Sequence, residues 1–296
     1  MSRLRNGQVI NQRYQVLSFL GQGSFARVYL TSDQKWRGNL VALKEIPTGH
    51  YSDKEYAHFN AHFLQEAAFL MRLQHTGLPR VVEFFAEGQN YYLALEWVPG
   101  HTLEQEVTQR DSVSQVDAMD WGLQLAEVLR YLHSQKPYPV LLGDLKPANV
   151  VIDYQGRLRV IDFGVARYAS PQQAREYALV SPGFSPPEQY QAGQLDERCD
   201  LYSWAATLWW CLHPVPLERY RFQVPSLLDL RQDLSPAFDG LLLRCLEPDR
   251  THRFHSADQV IQALRGVQRE TNVRKVSSPS EILSALYRDQ KKKFDF

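Results

Sequence analysis

The chain has 296 residues, and its 33 lysines and arginines balance its 33 aspartates and glutamates; 44% of residues are hydrophobic and 22% charged. This describes an ordinary globular protein long enough for one large two-lobed unit or two small domains, and the balanced charge argues against non-specific nucleic-acid binding. Three cysteines at wide spacing, Cys199, Cys211 and Cys245, form neither a CxxC pair nor a disulfide framework, which predicts a reducing compartment. The start MSRLRNGQVINQRY lacks an apolar signal core, and the longest greasy run, WAATLWWCL, is too short to span a bilayer. The expected setting is cytoplasmic, with no membrane span.

Residues 13–46 read as short strands, RYQVLSFL, RVYLTS and NLVALKEI, separated by turns at GQGSFA and KWRGN. They predict an antiparallel meander. In HFNAHFLQEAAFLMRLQ, Phe59, Phe63, Ala67, Leu70 and Leu73 recur at helical spacing, so an amphipathic helix follows. YYLALEWVPG then reads as a strand ending in a Pro-Gly turn. Beyond Gly100, long helical patterns dominate, notably VDAMDWGLQLAEVLRYLHS and LDERCDLYSWAATLWWCLH, and strands shrink to VVID and LRVID. The expected boundary lies at residues 96–100. After residue 270 the tail turns polar, and SSPSEILSALY carries a capping box, Ser278 with Pro279 and Glu281, for a short last helix. Its Ile282, Leu283 and Leu286 face could dock on the body or on a partner.

The glycines of GQGSFARV, Gly21 and Gly23, would let a hairpin's backbone approach a bulky anion. Taken alone such a pair is an ordinary turn, and without GxxxxGK[ST] it is no P-loop. Lys44 ends the apolar strand VALK and could simply snorkel to solvent. Glu66, however, lies on the apolar stripe of its helix, where an unpaired carboxylate is costly, which suggests a Lys44–Glu66 ion pair. Asp144, Lys146, Asn149 and Asp162 form the decisive group. A carboxylate can orient a hydroxyl and accept its proton, an amide oxygen and a second carboxylate are hard ligands for Mg²⁺, and a lysine neutralises a moving phosphoryl group. Two polar turns would explain each piece singly but not their order after a glycine hairpin, a strand lysine and a helix glutamate.

With these residues the chain resembles a eukaryotic-type, Hanks-class serine/threonine protein kinase, bacterial-like in flavour, over residues 14–264. The resemblance also takes in Asp-Phe-Gly at 162–164, SPGFSPPEQY with Pro186-Pro187-Glu188, DLYSWA from Asp200, and Arg253. It implies an α+β, two-lobed protein-kinase fold: a small antiparallel-sheet N-lobe with one main helix at 1–95, a hinge at 96–100, a larger helical C-lobe at 101–270, and a tail. ATP would lie between the lobes under Gly21, Gln22, Gly23 and Ser24. Its adenine would bond to backbone at Glu96 and Val98, between Val28, Ala42 and Val151, with Leu95 as gatekeeper. Lys44, paired with Glu66, would hold the α- and β-phosphates, Asn149 and Asp162 would hold Mg²⁺, Asp144 the substrate hydroxyl, and Lys146 the γ-phosphate. Glu188–Arg253 and Asp200 with the catalytic-loop backbone would be structural ties.

The implied partners are proteins with Ser/Thr acceptors, because the family's lysine at 146 and hydroxyl at Ser181 meet beside a shallow acceptor site. Two competing readings of the chain are a nucleotide-binding pseudokinase and a small-molecule phosphotransferase. Three departures from the family pattern stand out: Ala26 replaces a third glycine, and Leu142 and Gly143 replace His-Arg before Asp144. Leu142 can still pack beneath Phe163. Without arginine at 143, a phosphate on Tyr168, Ser170, Tyr177 or Ser181 lacks its main local partner, although Arg167 and Arg175 lie in the same segment. The expectation is activity that does not require activation-segment phosphorylation.

Overall fold

The computed structural model describes residues 3–23, 26–36, 38–47, 71–110, 112–162, 167–169, 180–191 and 193–276, with no account of side chains at 47, 167–168 and 271–276. Most of the expected helix through Phe59 and Phe63, with Glu66, lies outside the described residues, as do Ser24, Phe163, Gly164, Ser170, Arg175, Tyr177 and the tail helix at Ser278. The chain divides into two compact units, one of residues 1–102 with 149–167, the other of 103–148 with 168–296.

In the first unit, β1 (Val9–Ile10), β2 (Tyr14–Gln22), β3 (Arg27–Asp33), β4 (Asn39–Pro47), β5 (Val81–Glu87) and β6 (Asn90–Glu96) form a six-stranded antiparallel sheet in the order β1-β2-β3-β4-β6-β5. Pairing sets Val28 opposite Lys44 and Lys44 opposite Leu93; it sets Leu30 opposite Ala42 and Ala42 opposite Leu95. Because side chains alternate, one face carries Val28, Leu30, Ala42, Lys44 and Leu95. The intervening residues Tyr29, Val41, Leu43, Tyr92 and Ala94 pack with Ile10, Tyr14 and Val16 into a core. A one-residue slip would send that core to solvent, which is what fixes the register.

Polar side chains close this core. Arg13 grips Asp33 in a fork, Nε and Nη2 donating to the two carboxylate oxygens at 2.8 and 2.6 Å. Buried Glu45 accepts from Asn90 Nδ2 (2.9 Å) and from the hydroxyls of Tyr29 and Tyr92.

Gly100 does not end a turn; it opens β7 (Gly100–Thr102), which pairs with β9 (Val150–Asp153), itself paired with β10 (Leu158–Val160). A Cβ at Gly100 would lie 2.1 Å from the Ile152 carbonyl oxygen, at φ +150°, so only glycine lets these backbones approach. This pairing brings residues 149–167 into the first unit.

The second unit is helical: α1 (Leu103–Gln109), α2 (Gln115–His133), α3 (Arg198–Leu212), α4 (Pro236–Cys245) and α5 (Ala257–Val276), with the two-residue strand β8 (Val140–Leu141); another two-residue strand, β11 (Arg167–Tyr168), straddles the division of the chain after Arg167. Ser114 caps α2 by accepting from the Asp117 amide, and Ser235 with Pro236 starts α4 in the same way. Apolar residues at helical spacing, Ala118, Trp121, Leu125, Leu129 and Leu132, bury one side of α2. α3 is buried almost all round, from Cys199 to Leu212. Where α2 meets α3, Trp204 Nε1 donates to the Gly122 carbonyl at 2.9 Å, and a Cβ at Gly122 would fall 2.7 Å from Leu208 Cδ1. A methyl at this position of α2 would have to displace the Leu208 side chain and press on the Trp204 ring. All three cysteines are buried free thiols, and burial pushes that of Cys245 up to about 12.

Candidate active site

In the first unit, Gly21 pairs with Val28 and Gln22 with Arg27, and the Gly23 amide donates to the Ala26 carbonyl at 2.8 Å. Among the described residues a Cβ at Gly21 would meet nothing within 4 Å. Ala26 is different. Its methyl is buried with Ile46 and Tyr91, so the departure from glycine fills a small apolar cluster.

Lys44 Nζ donates to Asp162 Oδ1 at 2.7 Å. The expected partner, Glu66, lies outside the described residues. Asp162 remains 41% exposed in this pair. Residues 161–162 are tied back to the short 3₁₀ turn Pro147–Asn149, because the Ile161 amide donates to the Asn149 carbonyl at 2.9 Å. Asn149 and Asp162 thus offer an amide and a carboxylate, hard oxygen donors of the kind Mg²⁺ binds when phosphates and water complete its shell. The residues fit the metal.

Leu95, Val98 and Val151 are buried, and Val28 and Ala42 share the Lys44 face of the sheet. The Glu96 amide donates to the Arg80 carbonyl at 2.8 Å, and its carboxylate lies 3.6 Å from Arg80 Nε and 3.7 Å from Arg159 Nη1.

In the second unit, three side chains converge. Lys146 Nζ donates to Asp144 Oδ2 at 2.9 Å and to Ser181 Oγ at 2.7 Å, and Ser181 Oγ–H donates to Asp144 Oδ1 at 2.5 Å. The Ser181 amide in turn donates to buried Ser185 Oγ at 2.9 Å, which fixes the segment carrying the hydroxyl. The arrangement shows what the carboxylate can do: it takes the proton side of an aliphatic hydroxyl while an ammonium faces the oxygen lone pair.

Backbone before Asp144 is held from α3. Asp200, fully buried, accepts the amides of Leu142 and Gly143, each at 2.9 Å, and lies 2.9 Å from His133 Nε2. Gly143 adopts φ +78°, a left-handed conformation that glycine takes without strain. Its carbonyl accepts from Gln189 Nε2 at 2.7 Å. Gln189 sits in the 3₁₀ turn Pro187–Tyr190, whose Glu188 is gripped by Arg253 through two bonds of 2.6 and 3.0 Å. Arg253 is fully buried and also donates to the carbonyls of Arg198, Glu247 and Pro248. Burial raises the nearby Tyr202 hydroxyl well above its ordinary value.

The sequence patterns named neither Gln189 nor His133. Each is one polar residue beside a strong pattern, Gln189 directly after Pro187-Glu188 and His133 at the end of α2, and no spacing rule singles either out.

This fold and this set of side chains define a protein kinase domain, and the chain belongs to that family: the protein kinase domain model matches residues 14–264. Among curated relatives, the chain is 25% identical over 267 residues to the serine/threonine-protein kinase PrkC of Bacillus subtilis, covering 86% of this chain and 40% of that protein. It is 30% identical over 277 residues to the serine/threonine-protein kinase pkn2 of Myxococcus xanthus, covering 86% and 32%. The chain therefore spans less than half the length of these relatives. Among solved structures, the Mycobacterium tuberculosis PknI kinase domain matches with a TM-score of 0.71 at 25% identity, over 89% of this chain and 99% of that one. Among the described residues, no helix is long and apolar enough to cross a membrane.

Proposed function

We propose that the chain transfers the γ-phosphoryl group of Mg-ATP to serine and threonine hydroxyls of proteins. The observation that carries this reading is the contact of one hydroxyl, Ser181 Oγ–H, with Asp144 and Lys146 together. An acceptor hydroxyl engaged by Asp144 in the same manner would be oriented, with its proton directed at the carboxylate. Lys146 would then supply the positive charge that a transferring phosphoryl group needs.

Lys44 would bind the α- and β-phosphates, and its contact with Asp162 supports this because it holds the ammonium beside the proposed metal ligand. Asn149 and Asp162 would hold Mg²⁺, which when bound supplies charge neutralisation between the phosphates. Gly21 and Gly23 would admit the nucleotide close to the backbone. Val28, Ala42, Leu95, Val98 and Val151 would line the adenine site, with backbone bonds at Glu96 and Val98.

We also propose that transfer does not require phosphorylation of the activation segment. Support comes from the backbone before Asp144, which Asp200 and Gln189 hold through hydrogen bonds to its own amide and carbonyl groups. Incubation with labelled ATP, magnesium and a mixed protein pool, followed by phosphosite mapping, tests the main reading. Phosphoserine and phosphothreonine are expected; label mainly on tyrosine, or none, would overturn it. Initial rates before and after phosphatase treatment test the second. Rates within about tenfold are expected, equivalent to about 1.4 kcal/mol of barrier; abolition, restored by one phosphate on the segment, would overturn it.

A further inference from the structure

Both hydrogen-bonding groups of Gly143 are held, by partners from two different elements. Its amide donates to Asp200 Oδ1 on α3, and its carbonyl accepts from Gln189 Nε2, a side chain only 1% exposed. Asp200 anchors the chain up to the amide of residue 143. Between that anchor and the Cα of Asp144 only the backbone torsions at Gly143 and the intervening peptide plane remain, and glycine restrains its own torsions less than any other residue. The carbonyl of residue 143 lies in that peptide plane.

From this geometry we infer that Gln189 is a positioning residue for Asp144, fixing the Gly143–Asp144 peptide plane and thereby the direction of the carboxylate. The inference rests on the reading of Asp144 as the group that orients the acceptor. Glu188, the residue before, is locked by Arg253, so the amide of Gln189 approaches from a rigid turn. Residues 181–190 therefore bracket Asp144, meeting its carboxylate through Ser181 and the carbonyl of the residue before it, Gly143, through Gln189. A glutamine that only satisfied a buried carbonyl could sit at any residue of the loop. This one meets the carbonyl bonded directly to the acid's own nitrogen, at the position where the chain is freest.

The test uses Gln189→Glu and Gln189→Leu in the full chain. In the first variant an ionised side chain would set a carboxylate oxygen against the Gly143 carbonyl, acceptor against acceptor, whereas its protonated form would again donate. Burial favours the protonated form, which brings the change into an accessible pH range. Expected is a kcat about tenfold or more below wild type at pH 8 with an unchanged KM for ATP, from the loss of one buried hydrogen bond. The Gln189→Glu to wild-type ratio of kcat should rise as pH falls from 8 to 6, whereas Gln189→Leu should stay low throughout. Amide exchange in peptides covering residues 141–147 should quicken in both variants at pH 8, a readout independent of turnover. Wild-type kcat and wild-type exchange in both variants would overturn the positioning role and leave the kinase reading intact. A kcat loss matched by lost folded fraction, with no pH dependence of the ratio, would also overturn it. Quickened exchange in a chain whose wild type transfers no phosphate would support the clamp and remove the kinase reading instead.

Discussion

Ser181 and Asp144 share a hydrogen bond of 2.5 Å, hydroxyl to carboxylate, with Lys146 bonded to both. If the carboxylate takes an acceptor's proton in the same way, an amide in its place can only hold the oxygen. Asp144→Asn is therefore expected to lower kcat by roughly 10²- to 10⁴-fold while leaving the nucleotide Kd nearly unchanged. Single-turnover transfer and a thermal-shift titration with Mg-ATP measure the two quantities separately. Wild-type turnover in the variant would remove Asp144 from the chemistry.

Asp162 behaves differently in the proposed scheme, because it binds metal rather than acceptor. Asp162→Ala should raise the magnesium concentration needed for half-maximal nucleotide binding and release Lys44 from its 2.7 Å partner. Titrating Mg²⁺ at fixed ATP reads the shift. An unchanged magnesium requirement would argue against its role as a ligand.

Arg253 is a matter of stability, not chemistry. Its guanidinium is 0% exposed, and removing it leaves the Glu188 carboxylate and three carbonyls without their donor. Breaking such a buried pair costs about 3–5 kcal/mol, so Arg253→Met should lose that much in urea unfolding. A loss under about 1 kcal/mol would mean that the donors are replaced by water.

The fork between Arg13 and Asp33 gives a pH signature. Hydrogen bonding to the Arg13 guanidinium, outweighing burial, holds the Asp33 carboxyl below its usual range. A depressed folded-state value stabilises the protein above the unfolded carboxyl's pKa, near 4, and that stability is lost as pH falls through the folded value. Asp33→Asn should therefore cost about 1.5–3 kcal/mol at pH 7, and its deficit against wild type should shrink below pH 4. Urea unfolding at a series of pH values between 7 and 3 checks this; a constant deficit would contradict it.

Much of this was readable from the residues. The strands RYQVLSFL, RVYLTS and NLVALKEI appear as β2, β3 and β4 because period-two alternation and glycine turns are local signals. The helices through Trp121 and Trp204 appear as α2 and α3 because long runs with helical patterning are local signals too. Lys146 and Ser181 meet as the family resemblance implied, and Ser181 also bonds Asp144, from which 37 residues of sequence separate it. Less was readable where a contact depends on backbone. Gly100 looked like the end of a turn, because nothing in its neighbours announces a strand 50 residues later pressing Ile152 against it. Gln189 and His133 were invisible for a related reason: one meets a carbonyl and the other a carboxylate far along the chain, and a single polar residue leaves no periodic trace.

The pairing of β7 with β9 has a consequence for dissecting the molecule. The polypeptide leaves the first unit after Thr102, comes back at Asn149, and leaves it again after Arg167. No single cut can therefore liberate that unit intact. A fragment stopping at residue 102 would lack β9 and β10, so Gly100 would have no Ile152 to approach and the Gly77 carbonyl would lose the Val160 amide. A nick within 103–148 differs from truncation, because both pieces of the unit would still be present to associate. Complementation of two co-expressed pieces, split beside the exposed Arg110 or Ser112, is the experiment this topology invites.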